Sequence, residues 1–439
     1  VTSRTFLVFV AAAMFFADPT HAAPKKAQHR ARRSVPPPKL VWYVETLDGK
    51  VIDARNEDLA INPASVVKIA TSWWALETLG PDHRFTTRFT ARGTIDPSHQ
   101  RLNGDLVVHG SGDPDFQAEN AFLVAEALNR MGVRKVSGSI VVDGTFWMGW
   151  ENGSQGMNPD PVKRATLMAA RLRQGLDVRR WTRATRRAWY AYAQDHGGPR
   201  SALPSVEVLG GARYESDPGG VETVLFEHRS KPLAETLRRF NAFSNNDIER
   251  VAASIGSPSD LSVLLADRLV AGEVPVRIQT ASGLGENRLT PRQIVAMLRG
   301  FRSAAAGLGV EIEQLLPVAG CDPGTVEASF PRLSSPPFAT ALVAKTGTLT
   351  STDGGITVLA GFLNTAQGEV VFCVAAPHAA GRIRLARRTE ESFVVDLLKR
   401  RGGAAPRACA PPLASSTDDA SIVKSQFASI GNAGAAAQR

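Results

Sequence analysis

Cysteine is scarce in this 439-residue chain: three are present, Cys321, Cys373 and Cys409, at spacings that match no zinc or redox motif. That excludes a disulfide-stapled scaffold and leaves a hydrophobic core to hold the chain together. A Cys321–Cys373 bridge is one pairing the sequence permits without arguing for it. The eight histidines show no metal-ligand spacing, so neither a metal nor a cofactor is expected. After the first thirty residues no stretch stays apolar for the ~20 positions that a membrane helix needs.

What is present is ordinary for a soluble globular protein: 43% hydrophobic and 21% charged residues. The length allows two or three domains of about 150 residues each. Arg4, the apolar run Phe6 to Phe16 and the small residues near Ala22 and Ala23 read as a secretory signal peptide over 1–23. The expectation is therefore export, to the periplasm or cell envelope. A short membrane anchor fits less well, because the run is short and ends at Asp18-Pro19, and no cysteine follows it to carry a lipid.

The formal net charge is +9, carried in part by Lys25-Lys26 and Arg30 to Arg33 and in part by an arginine-rich stretch from Lys163 to Arg187. Such an excess suits an anionic partner. For an exported chain a cell-wall polymer or a lipid surface comes before nucleic acid, and no nucleic-acid partner is expected. The plainer reading of the same charge is a solvated basic face.

Residues 24–39 are basic and end in Pro36-Pro37-Pro38, a linker by composition. Leu40 to Thr46 and Lys50 to Ala54 predict a hairpin around Asp48-Gly49. A helix beginning at Ser65 ends near Gly80-Pro81. From 85 to 229 short β-like runs alternate with turn signals around an arginine-rich helical stretch, Val162 to Gln194; this reads as an inserted region. Helical spacing returns after Pro232. Thr290-Pro291-Arg292-Gln293 is a helix start with a capping box. Leu342 to Lys345, Gly355 to Leu363 and Val370 to Ala376 predict late strands, and Glu390 to Arg401 a last helix. Residues 402–439 are Ala/Ser/Pro/Gly-rich and read as a low-complexity, disordered tail. Residues 40–84 and 230–401 would together make one catalytic unit, the early hairpin completing a sheet of the late strands.

One short motif carries chemistry. In Asn62-Pro63-Ala64-Ser65-Val66-Val67-Lys68, a lysine follows a serine by three residues at a helix start. Residues three apart share a helix face, and a desolvated lysine loses its charge readily and can serve as a base. That would activate a serine without histidine. Chance alone places about one or two Ser-x-x-Lys patterns in a chain this long. Here the flanks add weight: Pro63 suits a helix start, and Val66, Val67, Ile69, Ala70, Trp73, Trp74, Leu76 and Leu79 are too apolar for a surface helix. Two further segments join it, Ser244-Asn245-Asn246 and Lys345-Thr346-Gly347-Thr348. Each alone is an ordinary turn or strand end. In this order the trio matches the S-x-x-K, S-D-N and K-T-G set of penicillin-binding proteins and serine β-lactamases.

The chain thus resembles that superfamily. It is most similar to the low-molecular-mass D-alanyl-D-alanine carboxypeptidase/endopeptidase family, class C penicillin-binding proteins with a large insertion. The warrant for the closer likeness is the separation of about 180 residues between Ser65 and Ser244. Leu106 to Asp115, His228 to Asn246, Ser282-Gly283-Leu284 and Leu316 to Gly320 resemble the family as well. The resemblance implies an α/β (α+β) transpeptidase fold, an antiparallel sheet flanked by helices, with an inserted mainly β domain. It implies a serine-type carboxypeptidase or endopeptidase acting on peptidoglycan peptides ending in D-Ala-D-Ala, inhibited by β-lactams.

By the same resemblance Ser65 is the nucleophile, Lys68 its base, Ser244 a proton relay and Asn246 a holder of Lys68 and the substrate amide. Lys345, Thr346, Gly347 and Thr348 would bind the terminal carboxylate and shape the site, with the Ser65 and Thr348 N–H groups as oxyanion hole. Asn245 stands where the family often has Asp. Thr280-Ala281 stand before Ser282 where it usually has Asp-Gly. The alternatives are a β-lactamase or esterase of the same superfamily, for which no deacylating glutamate motif follows Ser65, and a non-catalytic wall-binding scaffold, which has no need of Ser65, Lys68, Asn246 and Lys345 together.

Overall fold

The computed structural model describes residues 38–149, 160–195, 197, 203–269, 274–417 and 420–424. The expected signal peptide and nearly all of the linker lie outside the described residues. In chain order the elements are β1 (Val41–Thr46), β2 (Val51–Arg55), α1 (Val67–Leu79), β3 (Thr86–Asp96), β4 (Arg101–His109), α2 (Ala118–Arg130), β5 (Lys135–Val136), β6 (Ile140–Val142), α3 (Pro161–Leu176) and α4 (Arg183–Asp195). They continue with β7 (Glu207–Val208), β8 (Ala212–Tyr214), β9 (Thr223–Arg229), α5 (Leu233–Phe243), α6 (Ile248–Ala253), α7 (Pro258–Arg268) and α8 (Pro291–Gly307). Last come α9 (Thr325–Ser329), β10 (Leu342–Leu349), β11 (Ile356–Thr365), β12 (Gly368–Pro377), α10 (Ile383–Arg400) and β13 (Ser421–Lys424).

A five-stranded antiparallel sheet runs in the order β10-β11-β12-β1-β2, so the first hairpin joins the three late strands. Strands β10, β11 and β12 are buried on both faces, and β11 and β12 read as near-continuous apolar runs rather than alternating ones, while β2 at the edge is not buried. One face packs on α1 and α8, where Val67, Trp73, Ile294 and Leu298 meet Val358 and Val371. The other packs on α10 through Val394, Val395, Leu397 and Leu398. Helix α1 has no polar face to offer solvent: every residue from Val67 to Leu76 is buried. Its fit against α8 is tight enough that a methyl group on Gly300 would stand 2.3 Å from the Trp73 ring.

The eight-stranded sheet orders β13-β9-β3-β4-β5-β7, with β6 paired to β4 and β8. Helices α2 and α3 share a core with it around Phe89, Leu106, Val124, Leu128 and Leu172. The arginine-rich stretch forms α3 and α4, joined by a single 3-10 turn at Val178–Arg180.

The cysteine pairing that spacing left open is resolved, and one expectation, a disordered tail, is corrected. Cys321 pairs with Cys409, not Cys373, with a Cα–Cα distance of 5.7 Å. Cys373 is buried in β12, opposite Tyr43 and Ala360, and burial pushes its thiol up. The tail is also ordered where it is described. Arg238 donates to the Pro411 carbonyl (2.6 Å), Lys231 to those of Ala414 and Ser415 (3.3 Å each), and Asn120 to that of Ser416 (3.1 Å). Ser421–Lys424 then adds a strand to β9. Composition misleads here because side chains elsewhere satisfy the backbone groups of the tail.

Candidate active site

Ser65 sits in a 3-10 turn, Ala64–Val66, that leads into α1. The turn is built, not incidental. The Asn62 carboxamide oxygen accepts from the Ala64 N–H (3.1 Å), and its nitrogen donates to the Gly285 carbonyl (2.8 Å). Ala64 itself takes a left-handed conformation, φ 48°, at a cost of about 1–2 kcal/mol for a residue with a Cβ. Two glycines close on it. A Cβ on Gly283 would stand 1.9 Å from the Ala64 carbonyl oxygen, and one on Gly347 would stand 2.6 Å from that of Pro63. The glycine of the Lys-Thr-Gly motif is thus demanded by the close approach of β10 to the Ser65 turn.

Lys68, one helical turn on, is fully buried. Its Nζ lies 3.1 Å from Ser65 Oγ, 2.9 Å from Asn246 Oδ1 and 2.6 Å from the Ser282 carbonyl oxygen. Burial holds its pKa down to about 7, against a smaller upward pull from Glu249. The amine is therefore available as a base near neutral pH.

Helix α5 brings Asn246 to this point. The Asn241 carboxamide nitrogen donates to Ser72 Oγ on α1 (3.0 Å) and to the Leu315 carbonyl (3.0 Å), which fixes α5 against α1. The helix ends at Ser244 in a left-handed cap, φ 55°, and the chain turns so that Asn246 faces Lys68. Asn245 turns to its own backbone, accepting from the Asp247 N–H (2.8 Å). Ser244 is half-buried; its N–H donates to the Phe240 carbonyl as the cap of α5, while its hydroxyl makes no hydrogen bond among the described residues and lines a cavity of about 260 Å³ with Gln117, Arg239 and Asn245. The structure brings Ser65, Lys68 and Asn246 into one hydrogen-bonded cluster and leaves the Ser244 hydroxyl outside it.

On the other side stands β10. Lys345 is buried, donates to the Thr346 carbonyl (2.8 Å), and is held well below the usual lysine range by burial and then by Lys68. Thr346 Oγ1 donates to Thr325 Oγ1 (2.7 Å), and Thr348 Oγ1 accepts from Arg387 (3.0 Å). Each hydroxyl is thereby oriented by a neighbouring helix, α9 or α10.

Sequence reasoning missed Glu249. Its carboxylate accepts from the Ala281 N–H (3.2 Å) and the Ser282 N–H (2.6 Å), and Thr71 Oγ1 donates to the Ala281 carbonyl (2.6 Å). These contacts hold the Thr280-to-Gly283 loop where Asp-Gly is absent, and they aim the Ser282 carbonyl at Lys68. A glutamate five residues after Ser244 gave no local sign of a partner 32 residues away. Beside Glu249 a cavity of about 520 Å³ opens between α6 and the loop carrying Trp147, over which Arg250 stacks at 3.4 Å.

A family model described as D-Ala-D-Ala carboxypeptidase 3 (S13) family matches residues 40–171 and 205–383. A D-alanyl-D-alanine carboxypeptidase of an Actinomadura species is 24% identical over 450 residues, spanning 83% of this chain and 82% of the relative. A predatory endopeptidase of Bdellovibrio bacteriovorus, solved with an immunity protein, is similar in structure with a TM-score of 0.72 and 20% identity. That match covers 88% of this chain and 100% of the other. The penicillin G-acylated form of that endopeptidase, also with the immunity protein, matches with a TM-score of 0.71, 20% identity and the same coverage.

Proposed function

This chain belongs to the D-Ala-D-Ala carboxypeptidase 3 (S13) family, and on that premise we propose that it hydrolyses peptidoglycan stem peptides through an acyl-Ser65 intermediate. The observation that supports this most is the buried Lys68 amine shared between Ser65 Oγ and Asn246 Oδ1. A lysine titrating at about 7 is half neutral at neutral pH, and a neutral amine can take the Ser65 proton as Oγ attacks the D-alanyl carbonyl.

The oxygen of that carbonyl gains charge in the attack. The first N–H groups of a helix have no intrahelical partner, so the Ser65 N–H, with that of Thr348, is the proposed donor pair for it. Collapse of the adduct breaks the carbon–nitrogen bond. The departing amine takes the proton held by Lys68; a relay through Ser244 requires its hydroxyl, which lies outside the Lys68 cluster in the free site, to turn toward Lys68 as substrate binds. Water then attacks the ester, Lys68 takes its proton, and Ser65 Oγ leaves with one. Lys345, Thr346 and Thr348 hold the carboxylate next to the scissile bond; an incoming anion favours the charged form of Lys345 and so opposes the lowering of its pKa by burial. Residues 40–84 and 230–401 form the catalytic part in this reading, and the protein is exported to the envelope where its substrate lies.

The test is hydrolysis of a pentapeptide ending in D-Ala-D-Ala and of a crosslinked dimer. D-Alanine release or crosslink cleavage by the wild type, lost in Ser65→Ala, is the expected result. A folded wild type inert on both substrates contradicts the proposal.

A further inference from the structure

Beyond the carboxylate-holding end of β10 lies a basic cavity of about 580 Å³. Arg384, Arg387 and Arg388 stand on α10 at spacings that share one face, and Arg332 faces them from the loop after α9. The acidic residue of the lining is Glu391, and its carboxylate is already engaged, accepting from the Arg332 N–H (2.8 Å) and the Leu333 N–H (3.4 Å). Arg384 and Arg388 are exposed, and their guanidinium groups make neither a hydrogen bond nor an ion pair among the described residues. Four guanidinium groups against one committed carboxylate make a site for an anion, and the planar guanidinium suits carboxylates best in paired contacts.

The position of the cavity gives the anion its identity. Arg387 reaches from its wall to Thr348 Oγ1, and Thr346 Oγ1 reaches to Thr325, the first residue of α9, whose last residues Ala328 and Ser329 are also wall. Of the two hydroxyls proposed to hold the carboxylate of the leaving group, that of Thr348 is tied directly to the cavity wall and that of Thr346 is tied to the helix whose end forms part of it. A free D-alanine leaving group has a single carboxylate, for which Lys345, Thr346 and Thr348 already suffice. It has no use for a further arginine-lined space of this size. A leaving amine that continues into a peptide strand with further carboxylates does.

We propose that this cavity binds the carboxylate-bearing, amine-side strand of a crosslinked stem peptide, so that crosslink cleavage is a reaction for which the site is shaped. The inference rests on the function proposed above and narrows its substrate.

The experiment uses the full chain with Arg384→Gln and Arg388→Gln combined; neither side chain holds another part of the fold. Cleavage of a purified crosslinked dimer and of a monomeric pentapeptide, and acylation of Ser65 by penicillin, are measured side by side. The expected result is a fall of about tenfold in kcat/KM for the dimer, mostly through KM, the equivalent of one good guanidinium–carboxylate contact. Pentapeptide hydrolysis and acylation should stay within about twofold of wild type on the same reasoning. Equal losses on both substrates, or none on either, overturn the inference. So does a wild type that releases D-alanine from the pentapeptide and leaves the dimer uncut, which keeps the proposed function standing. Absence of acylation at Ser65 removes that function and this inference with it. Loss of binding to vesicles of anionic phospholipid with dimer cleavage unchanged assigns the arginines to a lipid surface instead, and overturns the proposal.

Discussion

Glu249 accepts the Ser282 N–H at 2.6 Å, while the Ser282 carbonyl accepts from Lys68 at the same distance. One peptide segment therefore links a carboxylate on α6 to the Lys68 amine on α1. Glu249 also raises the Lys68 pKa, against the larger lowering by burial. Glu249→Gln keeps an acceptor for the loop but removes the charge. The Lys68 pKa should then fall below about 7, and the acid limb of penicillin acylation against pH should move to lower pH, with a smaller loss of Tm than in Glu249→Ala because one of the two loop amides keeps its acceptor. Glu249→Ala leaves two amides without that acceptor and should cost about 1–3 kcal/mol and slow acylation as well. An unmoved acid limb in Glu249→Gln would show that the carboxylate has no electrostatic hold on the base.

Gly347 is the second point of leverage. A methyl group there would stand 2.6 Å from the Pro63 carbonyl oxygen and 3.4 Å from the Ser65 nitrogen, both backbone atoms. Gly347→Ala must push β10 and the Ser65 turn apart, at a cost of about 1–3 kcal/mol. Acylation should slow about a hundredfold, since a misplacement of about 1 Å has that effect on a reacting pair. Stopped-flow acylation with a Tm measurement checks it; a variant as fast as wild type would mean the two segments separate freely.

Glu390 on α10 is fully buried, and burial raises its pKa to about 8 although Thr357 donates to it (2.7 Å). In the unfolded chain a glutamate titrates at about 4.3. Between those values the native state holds a proton that the unfolded state has lost, so stability falls as pH rises from about 4.3 to about 8. Glu390→Gln retains an acceptor for Thr357 and removes the titration. Urea unfolding at pH 5 and pH 8 should show that variant more stable than wild type at pH 8, with a shallower fall between the two. An identical pH slope in both proteins would contradict this.

The Cys321–Cys409 bridge closes a long loop, residues 88 apart, and fastens the tail to the segment before α9. Its reduction, or Cys409→Ser, should cost about 2–4 kcal/mol. Cys373→Ala should leave both the bridge and its stability contribution in place. Thermal melts with and without reductant separate the cases; a reductant-sensitive Tm in Cys409→Ser would point to another bridge.

Much of this was legible in the sequence. The Ser65 helix announced itself because a strand-fed apolar run leaves no polar face, and α1 is indeed buried from Val67 to Leu76. The Thr290 capping box formed as predicted, Thr290 Oγ1 accepting from Gln293 N–H at 3.1 Å. The tail strand was illegible, since the chain leading to it is held at Pro411, Ala414 and Ser416 by Arg238, Lys231 and Asn120, all distant in sequence. The cysteine pairing was closed to spacing arguments for the same reason. Glu249, Thr325 and Arg387 were missed because none belongs to a local pattern; each matters through a partner that only the fold brings near.

The central claim is that the Ser65 hydroxyl, activated by Lys68, is the nucleophile. The most direct measurement is incubation of the purified chain with a labelled penicillin, followed by digestion and mass mapping of the modified peptide. A stable adduct on Ser65, absent in Ser65→Ala and strongly slowed in Lys68→Ala, is the result this account predicts. A folded wild-type protein that takes no label, or takes it on another residue, would contradict it.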